Sequence, residues 1–216
     1  MKKSQSLIFV VAVTVVLLSA CGKTKIVSCS PSLDKWAKEN VTYYSTSSRN
    51  EFVALPMEKQ RAIYGELSNS KKCELWYEKF NILRESGDVS SLEYEDLESL
   101  VKAMAALSNG KDYSRFNEFA DAWLQSMLEK YSWSRDRVFY LVFTWLTESE
   151  FNNVLEYSPY TKGDKIDKDA GYDTKCDCTS SIFGCPARMS CEKNIQCVDK
   201  ETCGIMGTSS CVGVCL

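Results

Sequence analysis

The chain is 216 residues long, 44% hydrophobic and 25% charged, with a formal net charge of −3. That is enough apolar material for a packed core and too little basic charge to hold a phosphate backbone, so nucleic acid is not an expected partner. It contains no histidine, which excludes Ser-His-Asp and Cys-His catalysis, the HExxH zinc-protease site and mixed Cys/His zinc sites.

The first segment, residues 1–20, reads as an export signal. Lys2 and Lys3 precede an apolar run from Leu7 to Ala20. As a helix that run reaches only about 21 Å, short of a hydrocarbon core of ~30 Å. A charged start, a short apolar middle and a small-residue exit describe a secretory signal rather than a spanning helix. The exit "LSAC", Leu18–Cys21, resembles the lipobox of bacterial lipoproteins. The resemblance implies cleavage before Cys21 and acylation of that residue; an ordinary signal peptide is the alternative. Several acyl chains on Cys21 would anchor the protein to a membrane outside the cytoplasm, where one chain alone binds marginally. Loss of Lys2 and Lys3 would move the formal charge from −3 to −5.

Residues 21–157 carry a helix period. Pro31 and Pro56 stand where helices could begin. Behind Pro56, Met57, Ile63 and Leu67 fall at helical spacing, and Trp76, Phe80 and Leu83 share a face. Ser90 and Glu93 form a predicted capping box ahead of the stripe Leu97, Leu100, Val101 and Met104, with Asn109-Gly110 as the stop. Phe116, Phe119, Ala120, Trp123, Leu124, Met127, Leu128 and Tyr131 make the longest stripe. "RVFYLVFTWL", Arg137–Leu146, is apolar nearly all round, which suits a central helix, although a buried strand fits so short a run. Thr147 and Glu150 predict one more capping box before "FNNVLEY". The expectation is mainly α: a small helical bundle. The carboxylate pairs Glu93/Asp96 and Glu148/Glu150 could in principle do acid–base work, but no neighbouring cue lifts them above solvated helix faces. No residue is a catalytic candidate, and no enzyme is expected. Cys29 and Cys73 are candidates for one disulfide.

From 158 to 175, "SPYTKGDKIDKDAGYDTK" loses its apolar residues and reads as an exposed linker open to proteolysis. Asp167, Asp169 and Asp173 lack the glycine and distal glutamate of a calcium loop. Residues 176–216 then hold eight of the eleven cysteines: Cys176, Cys178, Cys185, Cys191, Cys197, Cys203, Cys211 and Cys215. No CxxC occurs, so neither a zinc site nor a thioredoxin-like centre is expected, and no metal or cofactor follows. An even set in an exported segment reads as four disulfides. At ~2–4 kcal/mol each, these would hold together a module too small for a core of its own. The spacing leaves the pairing open. Gly204 and Gly213 are expected turn positions with positive φ.

The tail, "CDCTSSIFGC…ETCGIMGTSSCVGVC", resembles fulvocin C, a small disulfide-rich bacteriocin, in its Cys-x-Cys opening and its C-G-x(n)-C-x-G-x-C ending. "FVALPMEKQRAIYGELS…LWYEKF" matches the body of fulvocin C-related exported proteins more loosely. The resemblance implies an antibacterial or interbacterial-competition role, with a component of a target cell's envelope as partner and the tail displayed or cut free as a secreted fragment. The alternative is an envelope lipoprotein whose tail binds, braces or protects without toxicity.

Overall fold

The computed structural model describes residues 27–28, 30–107, 113–150, 191–193, 201–211 and 213–215. The chain is mainly α-helical, a small bundle followed by a short-stranded, disulfide-bonded C-terminal region. Seven α-helices lie wholly among the described residues: α1 (Pro31–Tyr44), α2 (Arg49–Val53), α3 (Met57–Glu66), α4 (Asn69–Glu85), α5 (Ser91–Ala105), α6 (Ser114–Tyr131) and α7 (Arg135–Val138); residues 148–150 are helical as well. A π-helical turn, Phe139–Phe143, continues α7. In the tail, β1 (Cys191–Lys193) pairs antiparallel with β4 (Gly213–Cys215), and β2 (Glu201–Cys203) with β3 (Ser209–Ser210).

The helices start where short polar side chains meet orphan N–H groups. Ser30, Ser48, Ser68, Ser90 and Ser134 each accept from a backbone N–H three residues on. Pro31 opens α1 as expected, and Pro56 is the residue just before α3. The Ser90/Glu93 capping box is present, and Ser48/Glu51 forms a second at α2. Gly87, at φ +79°, follows the C-cap of α4 in the left-handed region, where glycine carries no Cβ penalty.

One core joins these elements. Ile63, Trp76, Phe80, Leu83, Leu97, Leu100, Val101, Met104, Phe116, Trp123 and Leu124 are all buried in it, so the stripes of α4, α5 and α6 face inward. Phe119 departs from its stripe: it is 42% exposed. "RVFYLVFTWL" forms neither a full helix nor a strand. Its helix is short, turns π at Phe139, and gives way to extended backbone at Thr144. Val138, Leu141, Val142, Trp145 and Leu146 are nonetheless all buried, which accounts for the run being apolar on every side. Asn109-Gly110, the linker and "FNNVLEY" lie outside the described residues, as does the segment 1–20. Among the described residues no helix is long and apolar enough to cross a membrane.

The tail is not a free-standing appendage. Ile205 and Met206 belong to the same hydrophobic core as the helices, and Met206 is fully buried.

Candidate functional site

The place where tail meets body is built from α3 upward. Tyr64, near the C-terminal end of α3, is fully buried, its ring 4.7 Å from that of Trp145. Its hydroxyl accepts from Trp76 Nε1 at 3.0 Å and donates to the carbonyl of Met206 at 2.8 Å, 142 residues away. Burial pushes the Tyr64 hydroxyl well above its ordinary range, so it stays protonated and keeps that donor. Lys72 Nζ sits 5.0 Å from the Tyr64 ring and 5.4 Å from that of Tyr113, and 3.3 Å from the Tyr113 hydroxyl.

Into this seat projects a loop closed by a disulfide between Cys203 and Cys211, Cα atoms 5.0 Å apart. Three of its residues have positive φ: Gly204 (+75°), Met206 (+54°) and Gly207 (+68°). Gly204, with ψ −167°, occupies a region open essentially to glycine alone. Met206 holds a left-handed conformation that costs a non-glycine residue about 1 kcal/mol, offset here by complete burial of its side chain. Glycine is required at 207 for space as well. A Cβ there would lie 2.9 Å from Tyr64 Cε1 and 3.1 Å from Trp145 Cζ2. The approach is equally close at Gly65 of α3, where a Cβ would meet Val27 Cβ at 2.9 Å and Thr202 Cγ2 at 3.3 Å. Thr208 Oγ1 lies 2.7 Å from Asn117 Oδ1 of α6 and 2.8 Å from the Ile205 carbonyl. The loop is thus held by one glycine-permitted close contact, at Gly207, and by polar ties to α3 and α6, while Gly65 gives room to Thr202 just before it.

A second buried assembly supports the seat from behind. Arg49, 1% exposed, makes a bidentate pair with Glu150 (2.8 and 2.6 Å) and donates to the carbonyl of Trp145 at 2.7 Å. Burial alone would raise the Glu150 carboxyl, but hydrogen bonds from Arg49 and from the Thr147 N–H outweigh it and hold the pKa at about 2. Lys79, equally buried, donates to the carbonyls of Leu141 (3.1 Å), Thr144 (2.6 Å) and Tyr140, where the π turn leaves acceptors unmet. Burial, with Arg49 beside it, pushes the Lys79 ammonium well below its usual range.

The sequence-derived candidates fall into place unevenly. Of the tail cysteines, Cys203 and Cys211 are bonded to each other, and Cys191 stands opposite Cys215 in the β1–β4 ladder. Cys176, Cys178, Cys185 and Cys197 lie outside the described residues, as does Cys21. The expected Cys29–Cys73 bond is not made by Cys73, which is a buried free thiol 4.0 Å from the carbonyl of Val101; Cys29 lies outside the described residues. Gly204 has the positive φ expected of it, whereas Gly213, expected in a turn, pairs with Lys193 as extended backbone in β4. The carboxylates Glu93 and Asp96 are engaged in packing: Glu93 accepts from Trp133 Nε1 at 2.8 Å, and Asp96 from Lys130 at 2.7 Å and Tyr131 at 2.6 Å. Glu150 completes the predicted Thr147 capping box and pairs with Arg49 besides. Glu148 lines a half-open cavity of about 430 Å³ with Leu83, Asp88, Arg137, Tyr140 and Ser149. No local signal in the sequence points to Tyr64, Trp145 and Gly207, because the relation that unites them spans most of the chain. Among the described residues no three Cys, Asp or Glu side chains gather as metal ligands.

What the arrangement does is keep an apolar loop tip out of water. Compared with protein-family models, with curated proteins and with solved structures, the chain has no significant match.

Proposed function

We propose that this chain is an exported, lipid-anchored protein of the bacterial envelope, bacteriocin-like and fulvocin C-related, with no enzymatic activity. Its cysteine-rich end is the antibacterial element, and its helical body carries that end in a docked, covered form. The observation that supports the reading is the seated loop: the disulfide-closed tip of the tail, Gly204–Thr208, is buried against the body rather than presented. Cys21 carries the lipid, and a target cell's envelope is the partner. On this reading the tip acts after the tail leaves the body, through a cut in the segment 158–175, and the fragment appears outside the cell.

The test uses the whole chain with a specific protease site placed within 158–175, spotted on bacterial lawns before and after cleavage. Clearing only after cleavage is the expected result, lost when the cleaved protein is reduced. No clearing in either state, together with a marked drop in the stability of the cleaved protein, overturns the toxic reading. A specific observation favours the second reading in that event. Met206 completes the core of the body, as it would in an envelope lipoprotein whose tail is a structural closure.

A further inference from the structure

We infer that the Cys203–Cys211 disulfide is a redox latch: oxidised, it keeps the loop 204–210 seated on the body, and reduced, it lets that loop leave while the helices stay folded. The inference does not depend on toxicity; it concerns how the seat is opened and closed in either functional reading.

Four observations converge on it. The hairpin that carries the loop is minimal: β2 and β3 pair at only two positions, Glu201 with Ser210 and Cys203 with Ser209, with a register irregularity between them. Two strands of that length do not hold a conformation unaided. The loop itself places Gly204, Met206 and Gly207 at positive φ within four residues, an arrangement the open chain has little reason to keep. Its ties to the body are all noncovalent: Tyr64 to the Met206 carbonyl, Thr208 with Asn117, the close approach of Gly207 to Tyr64 and Trp145, and the apolar burial of Ile205 and Met206. The body, by contrast, supplies every residue of the shared core but Ile205 and Met206, and none of them is covalently tied to this loop among the described residues. The bridge is therefore the element that preorganises the loop for its seat. Without it, the entropy of a nine-residue loop must be lost at each docking, an effect on the order of a hundredfold in the docking equilibrium.

The latch is also shielded. Cys203 is 4% and Cys211 2% exposed, so a reductant reaches the sulfurs only in brief openings of the seated loop, and breaking the bridge makes those openings lasting. Reduction then proceeds by ordinary exchange with an external dithiol. A thiolate of the dithiol attacks one sulfur, the Cys203–Cys211 bond breaks, and the second thiol of the reductant resolves the mixed disulfide. Two electrons and two protons pass to Cys203 and Cys211, and the dithiol leaves as its own disulfide. Cys73 is buried in the body, against the Val101 carbonyl, and so reports separately on whether the helices have opened.

The experiment compares the full chain with its C203A/C211A variant by brief exposure to hydrogen peroxide, with methionine oxidation mapped by mass spectrometry. Met206 is the reporter, and Met104 and Met127, both buried in the helices, are internal references. The expected result is oxidation of Met206 at least tenfold faster in the variant, with Met104 and Met127 still protected and the far-UV helical signal unchanged. Equal protection of Met206 in both proteins overturns the inference, because the loop then stays seated without its bridge. Parallel exposure of Met104 and Met127 overturns it too, since the bridge would then hold the whole fold rather than one loop. Should the variant fail to fold, the wild-type protein is incubated with dithiothreitol under native conditions and its thiols are alkylated. Labelling of Cys203 and Cys211 with Cys73 untouched supports the latch; simultaneous labelling of Cys73 refutes it.

Discussion

Glu150 accepts from two directions, from Thr147 at the start of its own helix turn and from Arg49 across the molecule. Its folded pKa, about 2, is below the ordinary value of 4.5. A depressed carboxyl contributes stability that is fully present above its unfolded pKa and is lost as pH falls through its folded one. E150Q should therefore cost about 2 kcal/mol at neutral pH, where a charged hydrogen-bonded pair becomes a neutral one beside a buried guanidinium. In urea titrations the gap to wild type should narrow as pH falls from about 4.5 towards 2. Two glycines make a paired test at the same scale. Gly87 and Gly207 both have positive φ, but a Cβ at Gly87 meets nothing within 4 Å, whereas at Gly207 it meets Tyr64 and Trp145. Thermal or chemical denaturation should find that G87A costs about 1 kcal/mol, the backbone penalty alone. G207A should cost about 3 kcal/mol, because overpacking is added to the same penalty.

At the scale of elements, the π turn after α7 depends on a side chain from another helix. Lys79 of α4 supplies donors to three carbonyls there. Replacing it with methionine keeps the volume and removes the donors, so K79M should lose about 3 kcal/mol in equilibrium unfolding at neutral pH. This turn also marks where local sequence reasoning stops. The helices α4, α5 and α6 are legible because each buries one stripe against neighbours, and period and caps are local properties; Ser90 with Glu93 is readable within four residues. Arg137–Leu146 is apolar nearly all round and mostly buried, so its composition carries no phase, and helix, strand and π turn look alike. Phe119 lies at the right spacing for the core but on the rim of α6, where a stripe of eight residues is wider than the surface that covers it. Arg49 and Lys79 look like ordinary surface charges in the sequence. Their burial depends on acceptors 101 and 61–65 residues away, a distance over which no periodicity speaks.

For the whole molecule, the seated loop makes body and tail parts of one packing problem. The tail's cysteine count points to disulfides without saying which pair, and Cys203–Cys211 is one such bond; the attachment to Tyr64, Trp145 and Asn117 leaves no trace in spacing or composition. If the core is shared, M206A should cost about 3 kcal/mol. Far-UV circular dichroism and tryptophan fluorescence should then report one coincident unfolding transition in both wild type and variant; two separated transitions would show that the tail unfolds on its own.

The contact between Tyr64 and Met206 also imposes an order on biosynthesis. A chain emerging N-terminus first exposes Tyr64 and Trp145 well before the residues that cover them have been made. A contact of such high sequence separation is, in general, slow to form. Any product interrupted before Thr208 keeps an aromatic hollow open to solvent and to proteases. Closure of the core over Tyr64 thus requires residues as far along the chain as Met206.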